Sequence, residues 1–519
     1  MRGLMGEQQL TVGTIFDRMR TVHGDATVTD PDGTRTYAEV ADRVLRLVTV
    51  LRELGVRSGD RVASFAVNTT RHLELYYAVP LAGAVLHMAN IRLHPDQLHY
   101  VMEHAGDRLV FADADLLDRL PAREHRVVPF DDAYEQLLAA AQPAADRPAL
   151  NEWDACGMCH TSGTTGLPKA VLYSHRATYL HAMAAGMTDA LGLGQRDVAM
   201  AVVPLFHACG WGLPYIAPLV GADLVLPGSD TGAEHLARMM AEHRVTFAAG
   251  VPTIWQQLLP VARSGAFDLS ALRTLGVGGA ATPRPLLEAY DALGIEVLQI
   301  WGMTETTPIA CSSRPRRRHR DATAAELVDT RLKTGTIWPG LEARIVDDDG
   351  SAVAWDGEAV GELEVRGPWV ATGYYEDAAL GDRFHDGWLR TGDMASMEPD
   401  GVFRIVDRAK DLVKSGGEWI SSVELEGHLL AHPSVLAAAV VGVPHERWDE
   451  RPVAVIVPAD ADAPPALADL HAFLEPRVAK WWFPDAVAVV DAIPMTSVGK
   501  LDKKAIRAAL AEGTITCAS

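Results

Sequence analysis

His160-Thr161-Ser162-Gly163-Thr164-Thr165-Gly166-Leu167-Pro168-Lys169-Ala170 sets four hydroxyl residues among glycine and proline breaks, and one lysine closes the run. The mostly apolar Ala155-Cys156-Gly157-Met158-Cys159 precedes it, and the short, β-prone Val171-Leu172-Tyr173 follows. The pattern predicts strand, loop, strand. A Gly/Ser/Thr loop turns backbone N–H groups inward as an anion nest, and a lysine beside it adds a charge suited to phosphate. A polar hairpin turn is the plainer alternative, although turn chemistry alone does not require so many Thr-Gly repeats or the closing lysine. The run is not a Walker loop, which needs Gly-Lys-Ser/Thr leading into a helix. Here Pro168 precedes the lysine and a strand-like run follows.

Around this loop the chain has 519 residues, more than one ordinary core requires, so two or more domains are expected. Its 48% hydrophobic and 22% charged residues suit a globular enzyme. A net charge of −21 argues against non-specific binding to nucleic acid or anionic membrane. The local exception, Arg314-Pro315-Arg316-Arg317-Arg318-His319-Arg320, reads as a solvated loop or as a contact for a phosphorylated substrate. Five cysteines argue against a disulfide framework and fit a reducing cytoplasm. Cys156 and Cys159 have redox spacing but lie on the strand entering the loop, so they read as core. No stretch is apolar for long enough to span a bilayer, and the N-terminus carries no signal region.

From Thr11 to about Pro148, helices and strands alternate: a helix from Tyr37 to Leu54, strands at Arg61–Phe65, Val85–Met88 and Arg108–Phe111, and a helix through Leu73–Tyr77. This predicts doubly wound α/β layers, with ligands at the C-terminal ends of the strands. Val202-Val203-Pro204-Leu205-Phe206-His207 reads as a strand ending at proline, and Trp211 follows among glycines; both His207 and Trp211 also read as core. Gly276-Val277-Gly278-Gly279-Ala280 opens a helix. Trp301-Gly302-Met303-Thr304-Glu305 follows a strand at 296–300, offering an aromatic face, a hydroxyl donor and an oxygen ligand for a cation. From 335 to about 400, short alternating strands predict a small β-barrel subdomain, ending at Thr391-Gly392-Asp393, where Asp393 is either a cap or a binder of ribose hydroxyls. Asp407-Arg408 marks a boundary between an N-terminal domain, 1–406, and a small α+β domain, 407–519, with a helix at Ser422–Leu430 and another over Ala466–Lys480.

Thr161 to Lys169 resembles the signature phosphate loop of the AMP-forming adenylate superfamily, which includes acyl-CoA synthetases, firefly luciferase and peptide-synthetase adenylation domains. The resemblance runs from about residue 11 to 510, with six motifs in order. Lys414-Ser415-Gly416-Gly417-Glu418-Trp419-Ile420-Ser421 and Lys480-Trp481-Trp482-Phe483-Pro484 are most similar to medium- and long-chain fatty acyl-CoA synthetases. It implies that Thr161, Ser162, Gly163, Thr164, Thr165, Gly166 and Lys169 hold ATP phosphates. Gly278, Gly279, Ala280, Trp301, Gly302 and Met303 would surround adenine, Thr304 would meet the α-phosphate, and Glu305 with Thr164 would hold Mg2+. Asp393 would bind ribose, with Arg408 also at the nucleotide. Phe206, His207 and Trp211 would line an acyl tunnel, with His207 also aiding the thiol. Lys500 would be the catalytic lysine, Asp407 the hinge, and Lys414, Gly416, Gly417 and Glu418 the coenzyme A face.

The implied reaction joins a hydrophobic carboxylic acid to AMP, expelling pyrophosphate, and then transfers the acyl group to CoA. Two positions depart from the family pattern: His160 stands where Tyr or Phe is common, and Ala170 where Gly is usual. If they disturb the loop, adenylation suffers first, leaving an enzyme that takes acyl adenylates from a partner enzyme. An acyl-AMP ligase loading a carrier protein, a luciferase-like oxygenase and a binding or regulatory relic are the other readings, and intact Lys500, Glu305 and Asp393 argue against the relic. Long-chain relatives are often dimers, so a homodimer is an expectation as well.

Overall fold

The computed structural model describes residues 4–121, 126–161, 167–377, 383–416, 418–496 and 500–517. Three sheets organise it. The first has six strands in the order 126–130, 109–113, 61–65, 85–88, 155–160, 170–174. All neighbours are parallel except the last pair, a hairpin that brackets the Thr/Gly loop. The runs at 61–65 and 85–88 are buried nearly throughout, as expected of strands covered on both faces.

The second sheet has fourteen strands. Its parallel core runs 27–30, 223–225, 198–201, 247–250, 274–278, 296–302. The strands at 335–337, 342–346, 360–366, 388–397 and 402–408 continue this sheet through antiparallel pairs. The segment expected to form a small barrel is therefore tied by backbone hydrogen bonds to the parallel core. The third sheet begins only at Val413 and has five strands, packed by a helix at Ser422–Leu430.

The helix Tyr37–Glu53 has the start its sequence predicts, with Thr36 and Glu39 forming reciprocal capping bonds. Two expected elements differ. Val202 and Val203 lie beyond their strand, which ends at Ala201; both their N–H groups donate to the Ala249 carbonyl. The helix expected over 466–480 stops at Leu474, because Pro476 has no N–H and clashes with the preceding turn. The arginine-rich run is structural: Arg314 pairs with Glu296, and Arg318 with Glu398 and Asp400. Cys156, Cys159, Cys209 and Cys311 are buried thiols, and Cys517 is exposed. No helix among the described residues is long and apolar enough to cross a membrane.

Behind the junction of the second and third sheets lies a buried polar network. Asp407 accepts from the Ser422 N–H at 2.7 Å and from its hydroxyl, capping the helix. Lys503 donates to Ser422 Oγ at 2.6 Å and pairs with Glu426 at 2.7 Å, and both ionic side chains are only 10% exposed. Removing one partner leaves the other as an uncompensated buried charge. Lys503→Met should therefore destabilise the C-terminal unit by about 3–5 kcal/mol in thermal or denaturant unfolding, and adding Glu426→Gln should recover much of the loss.

Candidate active site

One cavity of about 900 Å3 opens where the two large sheets meet the third. Thr161, Val203, Val251, Gly278 and Gly302 line it. Each lies at or just beyond the C-terminal end of a parallel strand, where open α/β sheets leave a crevice for ligands. Lys169, Thr304, Glu305, Arg408 and Lys500 also face it, so residues far apart in the chain meet in one cleft.

Lys500 enters from the third-sheet side. It is held by a short bridge between Met495 and Leu501 and by reciprocal bonds with Thr496: the Thr496 N–H donates to the Lys500 carbonyl, and the Lys500 N–H to Thr496 Oγ1. Gly279, with φ +86°, lies directly below; a Cβ there would stand 3.3 Å from Lys500 Cε. Burial lowers the Lys500 pKa to about 8; the Arg408 charge adds to this, while Asp393 and Glu305 oppose it. The side chain retains partial access to the cavity while protein encircles it.

Glu305 is 3% exposed and accepts from Tyr374 Oη at 2.6 Å and Arg383 Nη2 at 3.0 Å. Lys169 pairs with Asp377 at 2.8 Å and lies over the Tyr374 ring. Asp377 thus presents an acid to Lys169, and Arg383 a base to Glu305. Tyr374, Asp377 and Arg383 were not anticipated, because nothing in Gly373-Tyr374-Tyr375-Glu376-Asp377 marks a site until the fold brings it beside Lys169 and Glu305.

Asp393 is 2% exposed and has both oxygens engaged, Oδ1 by Arg408 at 2.6 Å and Oδ2 by the Trp301 indole N–H at 2.9 Å. Trp301 is thereby a support for Asp393: it is 8% exposed, packs edge-to-face on Phe403 and lies behind the lining. Gly278, Gly279, Gly302 and Met303 do line the cavity, whereas Ala280 is exposed outside it. Thr304 lines it too and accepts through its carbonyl from the Tyr173 hydroxyl at 2.8 Å.

His207 and Trp211 line the apolar end with Val203, Ala208 and Ile300. The sequence reading of Phe206 does not hold: its ring is 3% exposed and packs in a separate cluster with Ala63, Phe65 and Ile91, under Arg92. Burial, then Lys500 and Arg92, lower the His207 pKa to about 3, so it stands neutral. Residues 208–212 all have positive φ, including non-glycine Ala208, Cys209 and Trp211, a conformation that costs L-residues about 1–2 kcal/mol each. This turn lays Trp211 on Gly278, where any Cβ would lie 2.7 Å from the indole.

Lys414, Gly416 and Glu418 are exposed on a hairpin away from the cavity, with the Lys414 ammonium over Trp419. Ser162, Gly163, Thr164, Thr165, Gly166 and Gly417 lie outside the described residues. His160 and Ala170, the two departures, are cross-strand partners. Ala170 is fully buried against Val85, Ala105 and Met158 in extended backbone, which any residue adopts.

A cleft at strand ends with cationic, hydroxyl and acidic groups at one end and an apolar arm at the other belongs to a nucleotide-dependent ligase. Residues 16–375 match the AMP-binding enzyme family and residues 424–500 its C-terminal domain, and the chain belongs to this family. It is 42% identical to 3-methylmercaptopropionyl-CoA ligase of Ruegeria pomeroyi over 98% of both chains. It is 45% identical to a long-chain-fatty-acid–CoA ligase of Thermus thermophilus, covering 91% of this chain and 89% of that one. Among solved structures, an anthranilate CoA ligase in complex with anthranoyl-AMP superposes with a TM-score of 0.87 at 26% identity, over 97% of this chain and 98% of that one. The protein is an AMP-forming acyl-CoA ligase: it uses ATP, Mg2+ and coenzyme A and makes a CoA thioester through an acyl adenylate. Glu305, a buried carboxylate facing the phosphate-type lysine's cavity, fits a cation that keeps most of its ligands as water and phosphate oxygen. Mg2+ there would offset polyphosphate charge.

The Lys500 pKa sets a pH expectation. Only the ammonium form neutralises anions, so kcat/KM for adenylation should fall above about pH 8, well below the ordinary lysine range. Because the folded value is depressed below the unfolded one, the stability cost of burying this lysine should fade as pH rises from about 8 to about 10.5. A Lys500→Gln enzyme should lose both the adenylation activity and that alkaline limb, measured by pyrophosphate exchange.

Proposed function

We propose that the acid is a flexible, hydrophobic aliphatic carboxylate and that the residues divide the reaction as follows. The carrying observation is that the Lys500 ammonium shares one cavity with Lys169 and Glu305 on one side and the apolar Val203–Trp211 arm on the other. Attack of the carboxylate on the α-phosphate brings two anions together and expels pyrophosphate. Phosphoryl chemistry of this kind depends on positioning and charge neutralisation. Lys500 lies between the two anions and reduces their repulsion. Thr304 donates to the α-phosphate, Lys169 holds the outer phosphates once they displace Asp377, and Asp393 receives the ribose once Arg408 turns away.

The CoA thiol then needs the path that Lys500 fills. A swing about Asp407 withdraws Lys500 and brings the Lys414–Glu418 hairpin to the cavity, as a two-state hinge. The swing removes the Lys500 charge from His207, raising its basicity when the thiol arrives, although burial, the larger influence, stays. The four buried free thiols fit a reducing cytoplasm.

The second reading is a ligase weak in adenylation that accepts acyl adenylates from a partner enzyme. The ion pairs Lys169–Asp377 and Glu305–Arg383 favour it, since ATP must break both. One assay separates the two. Purified protein and CoA receive either ATP, Mg2+ and a panel of straight-chain and ring acids, or the matching acyl adenylates, with acyl-CoA read by mass. Product from both feeds, with straight chains preferred, is expected; product from adenylates alone would install the second reading. A preference for ring acids would reject the aliphatic assignment.

Ala170→Gly addresses the same question from the loop. Losing a buried methyl and stiff backbone should cost about 1 kcal/mol in stability and give no gain in ATP-dependent turnover. A several-fold gain would show that the methyl obstructs the phosphate loop.

A further inference from the structure

Three histidines and one aspartate from separate elements form a single file into the cavity. Asp107, just past the helix Pro95–Ala105, meets His87 Nδ1 through Oδ2 at 2.6 Å, and both side chains are fully buried. His87 Nε2 meets His160 Nδ1 at 3.0 Å, and His160 Nε2 meets His104 Nδ1 at 3.1 Å. His104 lines the cavity beside Tyr100, which stacks on it, and in company with Thr161 and Lys169.

The order fixes the protons. A carboxylate can only accept, so His87 donates from Nδ1, and in the neutral imidazole its Nε2 is then an acceptor. His160 must then donate from Nδ1 and accept at Nε2, and His104 must donate from Nδ1. In the neutral chain His104 Nε2 is left carrying a lone pair. A lone pair facing a polyphosphate repels it; a proton there turns the same atom into a charged donor. His160, whose pKa burial and its two histidine neighbours push down to about 2, passes the bond along without holding the charge. The other charged or titratable groups facing this end are Tyr375 and Glu376 from the neighbouring loop, Arg61 beside Gly106, and the Lys169–Asp377 pair.

Resting on the reading of this cavity as a nucleotide site, we propose that His104 is a proton-carrying contact for the polyphosphate, with His160, His87 and Asp107 as positioning residues that hold its tautomer. On binding, one N–H bond forms at His104 Nε2 with a proton drawn from solvent, and no other bond changes. The chain makes the outer phosphates bind more tightly as pH falls.

The test is calorimetric titration of the full-length protein with Mg2+-pyrophosphate in buffers of different ionisation enthalpy, from about pH 6.5 to about pH 8.5. The expected result is net proton uptake by the wild type beyond that of His104→Gln and His160→Phe, the difference cancelling the ligand's own protonation. Wild-type affinity should weaken with rising pH by up to about tenfold per unit more steeply than either variant's. A merely structural role for these histidines would weaken binding without changing the proton count. The two variants alter different elements, and thermal unfolding shows which are folded. A third, His87→Asn, keeps a neutral side chain at the inner link if either fails to fold. Equal proton counts in wild type and any folded variant, or a wild-type count no larger than the free ligand's own, would overturn the proposal. Absence of any pyrophosphate or ATP binding would instead overturn the nucleotide-site reading beneath it.

Discussion

An ammonium group inside a cavity is costly unless anions arrive to meet it, and the structure turns on that cost. Lys500 lies between the third-sheet strand Ala486–Val489 and the helix Lys503–Ala511, but its charge sits in a cleft lined from the two large sheets, above a glycine that leaves just enough room for its side chain. Burial and Arg408 weaken its hold on the proton, and Asp393 and Glu305 partly restore it. The remaining charges obey the same rule. Lys169 leans on Asp377, Glu305 on Arg383, and Asp393 on Arg408. Each pair joins groups of opposite charge at the lining of one cavity. The buried carboxylates Glu305 and Asp393 demand such partners.

Much of this is legible in the chain itself. Buried parallel strands betray themselves as short apolar runs between helical stretches, which is why 61–65 and 85–88 were placed correctly, and the Gly/Thr loop announced its own chemistry. Local periodicity says little about which side of a loop faces a cavity. Phe206 and Trp211 look equally apt for a tunnel; only the left-handed turn at 208–212 decides that the tryptophan faces in while Phe206 joins another core. Trp301 likewise looked like a base-stacking ring and is instead a hydrogen-bond donor that orients Asp393. The histidine chain is out of reach for a plainer reason: His87 and His160 lie on two strands that pair in the first sheet and His104 on a helix packed beside them, elements far apart in the chain.

His160 and Ala170 gain meaning together. They face each other across the hairpin that brackets the Thr/Gly loop, so they form one local pair. The alanine methyl fills an apolar pocket beneath the hairpin, and the histidine bridges two others above it. The departure therefore leaves the backbone of the strand extended and alters what lies beside the loop.

The strand at 402–408 is clamped along both edges, by 335–337 and 388–397, and the third sheet starts at Val413. Only residues 409–412 lie between, and they are folded into a turn by bonds from Asp411 and Leu412 back to the Arg408 carbonyl. So short a tether, about 14 Å at full stretch, permits swivelling but little drift. Lys500 is thus never diluted from the cleft: the tether holds it near millimolar effective concentration. Severing the chain there would leave every residue of the site in place and still convert a unimolecular step into a bimolecular one. A longer, slack tether would blunt the same advantage by degrees.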